Sequence, residues 1–327
     1  MMDNQDLYCY YSDLPSPLAY GRKTFFKIEK NMKTLDLTNP EDSDIKYKIS
    51  KFPDGQQSIT LDLENTIFSS ESQSVVIKSR LNSFLDLELI ICANQALIEL
   101  GIVNLAFKLK EISLYVPYFL GARSDRKFLK GQSNYLKTVI CPIINSQNFS
   151  RVTVLDPHSD VLEACLNNFQ KTSNVGFASA AIEDIDGKIT LISPDAGALK
   201  KIYDVAEAVD CNDVIVANKL RDLKTGKIIR TEVPGLSSDI SFSGEARSKS
   251  FVIIDDICDG GRTFIEIAKA IRDSRPKEIF NDKIFLVVTH GIFSAGFEEL
   301  EKWFTGIYTT DSVKEIENEL VTQVNVF

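Results

Sequence analysis

The 327-residue sequence predicts an α/β fold of two similar domains, each a mostly parallel sheet flanked by helices. Three observations carry this. From residue 74, short apolar strands alternate with helical segments. The same rhythm restarts near residue 190. An unbroken apolar run at 251–254 (FVII) then leads into a polar, glycine-containing loop and a new helix, as a buried parallel strand would. The domains are expected over 1–165 and 166–327, with a last helix returning to the first.

Residues 1–60 are mixed and turn-rich, with Pro15, Pro17, Pro40 and Pro53-Asp54-Gly55 as punctuation. Residues 74–77 read as a strand and 84–100 (FLDLELIICANQALIEL) as a largely buried helix. A strand over 111–117 (EISLYVP) precedes a charged loop at 121–130. Residues 135–144 read as helical, and 151–155 (RVTVL) as a strand ending at Asp156. In the second half, 190–193 is a strand, 197–208 a helix and 214–217 a strand. The stretch 219–247 is polar and shows no hydrophobic period. After FVII, residues 255–262 read as a loop. Residues 263–272 read as a helix, because Phe264, Ile267, Ala268 and Ile271 fall on one face. Residues 283–289 form another strand.

Composition narrows the function. Hydrophobic residues are 44% and charged residues 25%, ordinary values for a folded globular chain. The net charge of −9 argues against nucleic acid, whose binding rests on phosphate neutralisation, but leaves room for a local basic pocket. The six cysteines are scattered without CxxC spacing, which argues against zinc and against a disulfide framework. No run approaches the roughly 20 apolar residues of a membrane helix, and the N-terminus lacks a signal-peptide pattern. A cytoplasmic protein without membrane contact is expected.

The segment FVIIDDICDGGRTF holds the most chemistry. Ligands of open α/β sheets bind at the carboxyl ends of strands. A helix N-terminus with loop amides accommodates a phosphate, and Gly260 and Gly261 let backbone approach it. Asp255 and Asp256 cannot both lie buried without partners. GxxxxGK[ST] is absent, so this is not a Walker A loop.

This segment resembles the phosphoribosyl-diphosphate signature of the type I phosphoribosyltransferase fold. Six further segments resemble one branch of that fold, the ribose-phosphate diphosphokinases. They are KFPDGQQSI at 51–59, ISLYVPYFLGARSDRK at 112–127, RVTVLDPH at 151–158, LISPDAG at 191–197, VIVANKLR at 214–221 and THG at 289–291. All seven stand in the family's order between about 51 and 296.

The resemblance implies a magnesium-dependent transfer of the β,γ-diphosphate of ATP to the 1-hydroxyl of a 5-substituted ribose, releasing AMP. It implies that Asp255 and Asp256 hold the ribose hydroxyls, and that Asp259, Gly260, Gly261, Arg262 and Thr263 cradle the 5-phosphate. His158 and Asp195 match the Mg2+-associated positions, although histidine is an uncommon magnesium ligand. Phe52, Asp54, Gln56, Arg123, Ser124 and Asp125 match the ATP side, with Phe52 and Asp54 supplied from a neighbouring subunit of a homo-oligomer. Lys219 and Arg221 match the catalytic cations, expected on a mobile loop that closes over the site. Lys224, Lys227 and Arg230 add charge beyond them. His290 receives no role.

The sequence also departs from the family. The usual D-T-A-G-T phosphate loop reads Asp259-Gly260-Gly261-Arg262-Thr263 here. An arginine thus replaces a glycine beside the phosphate, and Gly260 replaces a threonine hydroxyl. Gln56 replaces an acid, Ser124 a glutamine and Val161 another glutamine. These changes bear on the acceptor, which is either ribose 5-phosphate or ADP-ribose, the latter placing the enzyme in nicotinamide nucleotide salvage. Two competitors remain. A salvage phosphoribosyltransferase leaves KFPDGQQ and GARSDRK without purpose. A non-catalytic regulatory relative sits poorly with the retained Lys219 and Arg221.

Overall fold

The computed structural model describes residues 32–66, 73–103, 108–127, 129–221, 228–236, 248–275 and 281–327. In chain order its elements begin with β1 (Met32–Asp36), β2 (Tyr47–Lys51), β3 (Gln57–Leu61), β4 (Gln73–Lys78), α1 (Phe84–Val103) and β5 (Leu109–Tyr115). A π-turn, Leu136–Ile140, runs into α2 (Cys141–Asn145), followed by β6 (Val152–Leu155), α3 (Val161–Cys165), β7 (Phe169–Thr172) and α4 (Val175–Glu183). Then come β8 (Lys188–Ser193), α5 (Leu199–Ala208), β9 (Val214–Val216), β10 (Asn218–Arg221) and β11 (Ile228–Glu232). The chain closes with β12 (Lys249–Cys258), α6 (Arg262–Ser274), β13 (Lys283–Gly291), β14 (Gly306–Thr310) and β15 (Val321–Val324).

Two sheets result, ordered β1-β4-β5-β6-β7 and β15-β14-β13-β12-β8-β9. Every pairing within them is parallel. Two antiparallel hairpins, β2-β3 and β10-β11, stand apart. The α/β architecture of two mostly parallel sheets with helices is therefore the observed one.

The second sheet shows why the apolar run at 251–254 forms a central strand. Phe251 and Ile253 pack with α6 residues Phe264, Ile267 and Ile271. Val252 and Ile254 pack on the other side with Phe177 and Ala178 of α4 and Ile202 and Val205 of α5. Successive side chains of a strand face opposite ways, so a strand covered on both faces must be apolar throughout. In the first domain, α1 buries Leu87, Ile90, Ala93 and Leu97 against Val75, Ile77, Ile112 and Leu114.

Three expectations need correcting. Strand β7 belongs to the first sheet, so sheet membership changes after Thr172 rather than at 165/166. The expected last helix is strand β15. The chain does return to the first domain, but as extended backbone, where Tyr115 donates its hydroxyl to the Val326 carbonyl at 2.9 Å and Phe327 packs edge-on to the Tyr115 ring. The helix expected over 135–144 is present, wound as a π-helix over Leu136–Ile140 before it continues as α2. Finally, Lys219 and Arg221 lie on β10, paired opposite Thr231 and Ile228, where a mobile loop was expected. Two short antiparallel strands offer too few residues for a visible period. Lys224 and Lys227 fall outside the described residues.

Among the described residues no helix is long and apolar enough to cross a membrane.

Candidate active site

The site is built on the end of β12. The strand runs past Ile254 to Cys258 because β13 pairs with it as far as Gly291, so Asp255 and Asp256 are strand residues and not loop residues. Asp255 Oδ1 accepts the Asp256 amide at 2.9 Å. Burial, reinforced by the neighbouring Asp256 charge, pushes the Asp255 carboxyl well above its usual range. Burial acts in the same sense on Asp256. There, a hydrogen bond from His158 and the charge of Lys201 outweigh it and hold the carboxyl below the usual range. Burial and mutual repulsion thus favour the negative charge on Asp256 over Asp255.

His158 is the partner of that charge. Its Nδ1 lies 2.7 Å from Asp256 Oδ2, and this bond raises the imidazole pKa despite partial burial. Both shifts favour the same ionised pair. His158 comes from the loop after β6 in the first domain, so the contact joins the two halves. Asp125 stands close by. It is buried, accepts from Arg126 Nε at 3.1 Å and Nη2 at 3.2 Å, and its carboxyl is held low by Arg126, Ser159 and His158.

After Cys258 the chain makes the phosphate-type loop. Gly261 adopts φ +74 at the N-cap of α6, and a Cβ there would meet Leu300 Cδ2 at 2.9 Å. Its carbonyl accepts the amides of Phe264 and Ile265, both at 3.0 Å. Gly260 has open space, its nearest side-chain neighbours being 3.9 Å away. Arg262 is exposed at the first helical position and Thr263 is half-buried. Both oxygens of Asp259 are engaged, Oδ1 by Ser294 Oγ at 2.5 Å and Oδ2 by Arg123 Nη1 at 2.6 Å. Arg123, then Ser294, hold its carboxyl below the usual range. An expected ATP-side residue therefore touches the expected ribose-phosphate loop across 136 residues of sequence.

Asp195 follows β8 and caps the turn into α5, with Oδ1 accepting the amides of Gly197 at 3.0 Å and Ala198 at 3.3 Å. It is exposed and near enough to Asp255 to raise that carboxyl. His158 and Asp195 do not form a preformed cage. Among the described residues no group of three or more His, Cys, Asp or Glu is arranged to hold a metal. Asp195 offers the oxygen donor that magnesium takes, and an ion that keeps several waters needs few protein contacts, whereas His158 offers nitrogen.

Phe52, Asp54 and Gln56 lie apart, at the tip of the β2-β3 hairpin. The Phe52 amide donates to the Gln56 carbonyl at 2.9 Å, the Gln56 amide to Asp54 Oδ1 at 3.1 Å, and the Phe52 ring is 52% exposed. The hairpin leans on α1, where Gln57 Nε2 donates to the Leu85 carbonyl at 2.8 Å. None of the hydrogen bonds of these three residues reaches β12 or its loop. Ser124 engages through its backbone, donating to the Gly121 carbonyl and accepting the Leu136 amide.

Sequence reasoning missed the layer beneath the site. His290, given no role, is fully buried between the domains. It lies 2.8 Å from Ser312 Oγ through Nδ1 and 3.0 Å from the Leu155 carbonyl through Nε2. Asp156, Lys201 and Thr289 join it there. Only the flanking motifs, LDPH and THG, marked the region.

With this geometry established, comparisons define the class. Residues 172–310 match the phosphoribosyl transferase domain model. A phosphoribosylpyrophosphate synthetase from Mycobacterium smegmatis superposes with a TM-score of 0.65, covering 86% of each chain at 16% identity, which establishes a shared fold. The fold is thus shared with that synthetase, and the stretch that carries the β12-α6 loop lies inside the matched domain. The chain is 29% identical over 205 residues to a ribose-phosphate pyrophosphokinase of Mycoplasmopsis pulmonis, covering 59% of this chain and 56% of the relative. It is 25% identical over 290 residues to the protein of that name from Fusobacterium nucleatum, covering 86% and 82%. The match to the Mycoplasmopsis relative, like that to one from Mycoplasma pneumoniae at 58%, spans under two thirds of the relative's length. The chain is thus similar to ribose-phosphate pyrophosphokinases over much of its length, and its second half matches a phosphoribosyl transferase domain.

Proposed function

We propose that this protein transfers the β,γ-diphosphate of ATP to the 1-hydroxyl of a 5-substituted ribose. The hydroxyl oxygen attacks the β-phosphorus, the bond from that phosphorus to the α,β-bridging oxygen breaks, and AMP leaves with that oxygen. The observation that carries the reading is the joining of two motif sets at one place. The acidic pair and phosphate loop of β12-α6 meet Arg123 and His158 of the first domain, through Asp259 and Asp256.

In this reading Asp256, ionised and held by His158, accepts from a ribose hydroxyl, and Asp255 stands beside it. The amides at the start of α6 and Thr263 hold the 5-phosphate. Arg123 exchanges its exposed pairing with Asp259 for ATP phosphates, since guanidinium suits phosphate geometry. Lys219 and Arg221 stabilise charge on the moving phosphoryl oxygens, the main requirement of such transfers. Asp195, and His158 when its imidazole is neutral, are the residues that would hold magnesium, which would supply charge neutralisation and orientation of the triphosphate. The separate β2-β3 hairpin, with Phe52, Asp54 and Gln56, serves the ATP site of a neighbouring copy in a homo-oligomer.

Ribose 5-phosphate is the acceptor that the relatives' names suggest. Arg262 favours a second candidate. Its exposed position beside the loop is free to meet a further phosphate, as in ADP-ribose. The test is AMP release from ATP and magnesium with each sugar offered separately. Release with either supports the reading, and release with neither, using folded protein, sinks it. An Arg262→Gly variant with an unchanged ratio of rates for the two sugars removes Arg262 from acceptor choice.

A further inference from the structure

Beneath the site lies a contact that the reaction scheme does not use. Asp156 follows β6 with φ 41, a left-handed conformation that non-glycine residues rarely adopt, and it is 1% exposed. Each carboxylate oxygen has one partner from the other domain. Lys201 Nζ of α5 lies 2.7 Å from Oδ1, and Thr289 Oγ1 of β13 donates to Oδ2 at 2.7 Å. Lys201 also donates to the Pro157 carbonyl at 3.3 Å and stands 3.9 Å from Asp256 Oδ2, the oxygen that His158 holds. One ammonium thus serves a buried acid of the first domain and the acceptor-site acid of the second.

We infer that Lys201 is a positioning residue, coupling the docking of the two domains to the placement of Asp256. This rests on the diphosphotransfer reading. Lysine suits the role because a compact ammonium presents three donors. Here they face a carboxylate, a carbonyl and a second carboxylate. Removing it leaves Asp156 buried with one hydroxyl partner and takes a cation from Asp256, so the sugar site loosens although no atom of Lys201 need touch the sugar. Partners that orient the coordinating side chains of metal sites change affinity or activity by about 10–100-fold, and an effect of that size is expected of Lys201 on Asp256.

The experiment compares Lys201→Met and Lys201→Arg in the full chain. Lys201→Met raises KM for the acceptor by about 10–100-fold, while KM for ATP moves by less than about threefold. Lys201→Arg, which keeps the charge, recovers most of the loss. A lysine with only a structural role would lower the folded fraction and so kcat, leaving KM in place. A thermal-unfolding cycle with Asp156→Asn is the second arm. The double variant melts no lower than the worse single one if the two side chains act as a unit. Acceptor KM within twofold of wild type, or additive melting shifts, overturns the inference. A wild-type protein that releases no AMP defeats the diphosphotransfer reading instead. The coupling is then judged by the melting cycle and by calorimetric binding of ribose 5-phosphate to wild type and Lys201→Met.

Discussion

Adding one methyl group at each of two adjacent glycines should have opposite consequences. At Gly261 the backbone has φ +74, where an L side chain is strained by about 1–2 kcal/mol. The new Cβ would also lie 2.9 Å from Leu300 Cδ2 in a packed core, and such overpacking typically costs about 1–3 kcal/mol. Gly261→Ala should therefore destabilise by about 2–5 kcal/mol, the sum of those two contributions. At Gly260 neither cost arises, because φ is not positive and nothing stands closer than 3.9 Å. Gly260→Ala should stay within about 0.5 kcal/mol of wild type, as surface changes do. Its methyl group, however, enters the space through which a phosphate approaches the backbone, so acceptor KM should rise by about tenfold, the equivalent of one lost hydrogen bond. Urea titration followed by circular dichroism reads the first effect, and AMP release against sugar concentration reads the second. A Gly260→Ala enzyme with wild-type acceptor KM would refute the placement of the 5-phosphate at this loop. Unchanged stability of Gly261→Ala would refute the strain argument.

Lys219→Ala and Arg221→Ala should each lower kcat by about 100–1000-fold with smaller changes in KM, as loss of a transition-state donor does; a change confined to ATP KM would reassign them to nucleotide binding. His290 sets a pH response at the domain seam, since burial holds its pKa below the ordinary 6.5 against the pull of Asp156. The unfolded chain protonates first on acidification, so the stability His290 contributes is present above about pH 6.5 and is lost as pH falls below it. The drop in melting temperature from about pH 7.5 to about pH 5.5 should shrink in His290→Asn. Comparison with wild type at each pH separates this from His158, whose raised pKa acts with the opposite sign.

The amino-acid sequence by itself determined the α/β class and the β12-α6 element. An apolar run covered on both faces and a helix with one apolar face leave their period in the residues themselves. It also marked most of the residues that the fold gathers at the end of β12, because glycines, acids and a helix start stand there in close succession. Tertiary structure alone decided what those residues meet. Arg123 with Asp259, His158 with Asp256, and Lys201 with Asp156 are separated by 136, 98 and 45 positions, and no local period encodes such pairings. The extent of β12 was hidden for the same reason, since its last residues are held by β13 and not by their own propensity. The Lys219–Arg221 strand was invisible because a hairpin of four- and five-residue strands is shorter than any reliable pattern. His290 and Asp156 became recognisable only when the domains closed on them, because burial, which sets their chemistry, belongs to the assembled fold.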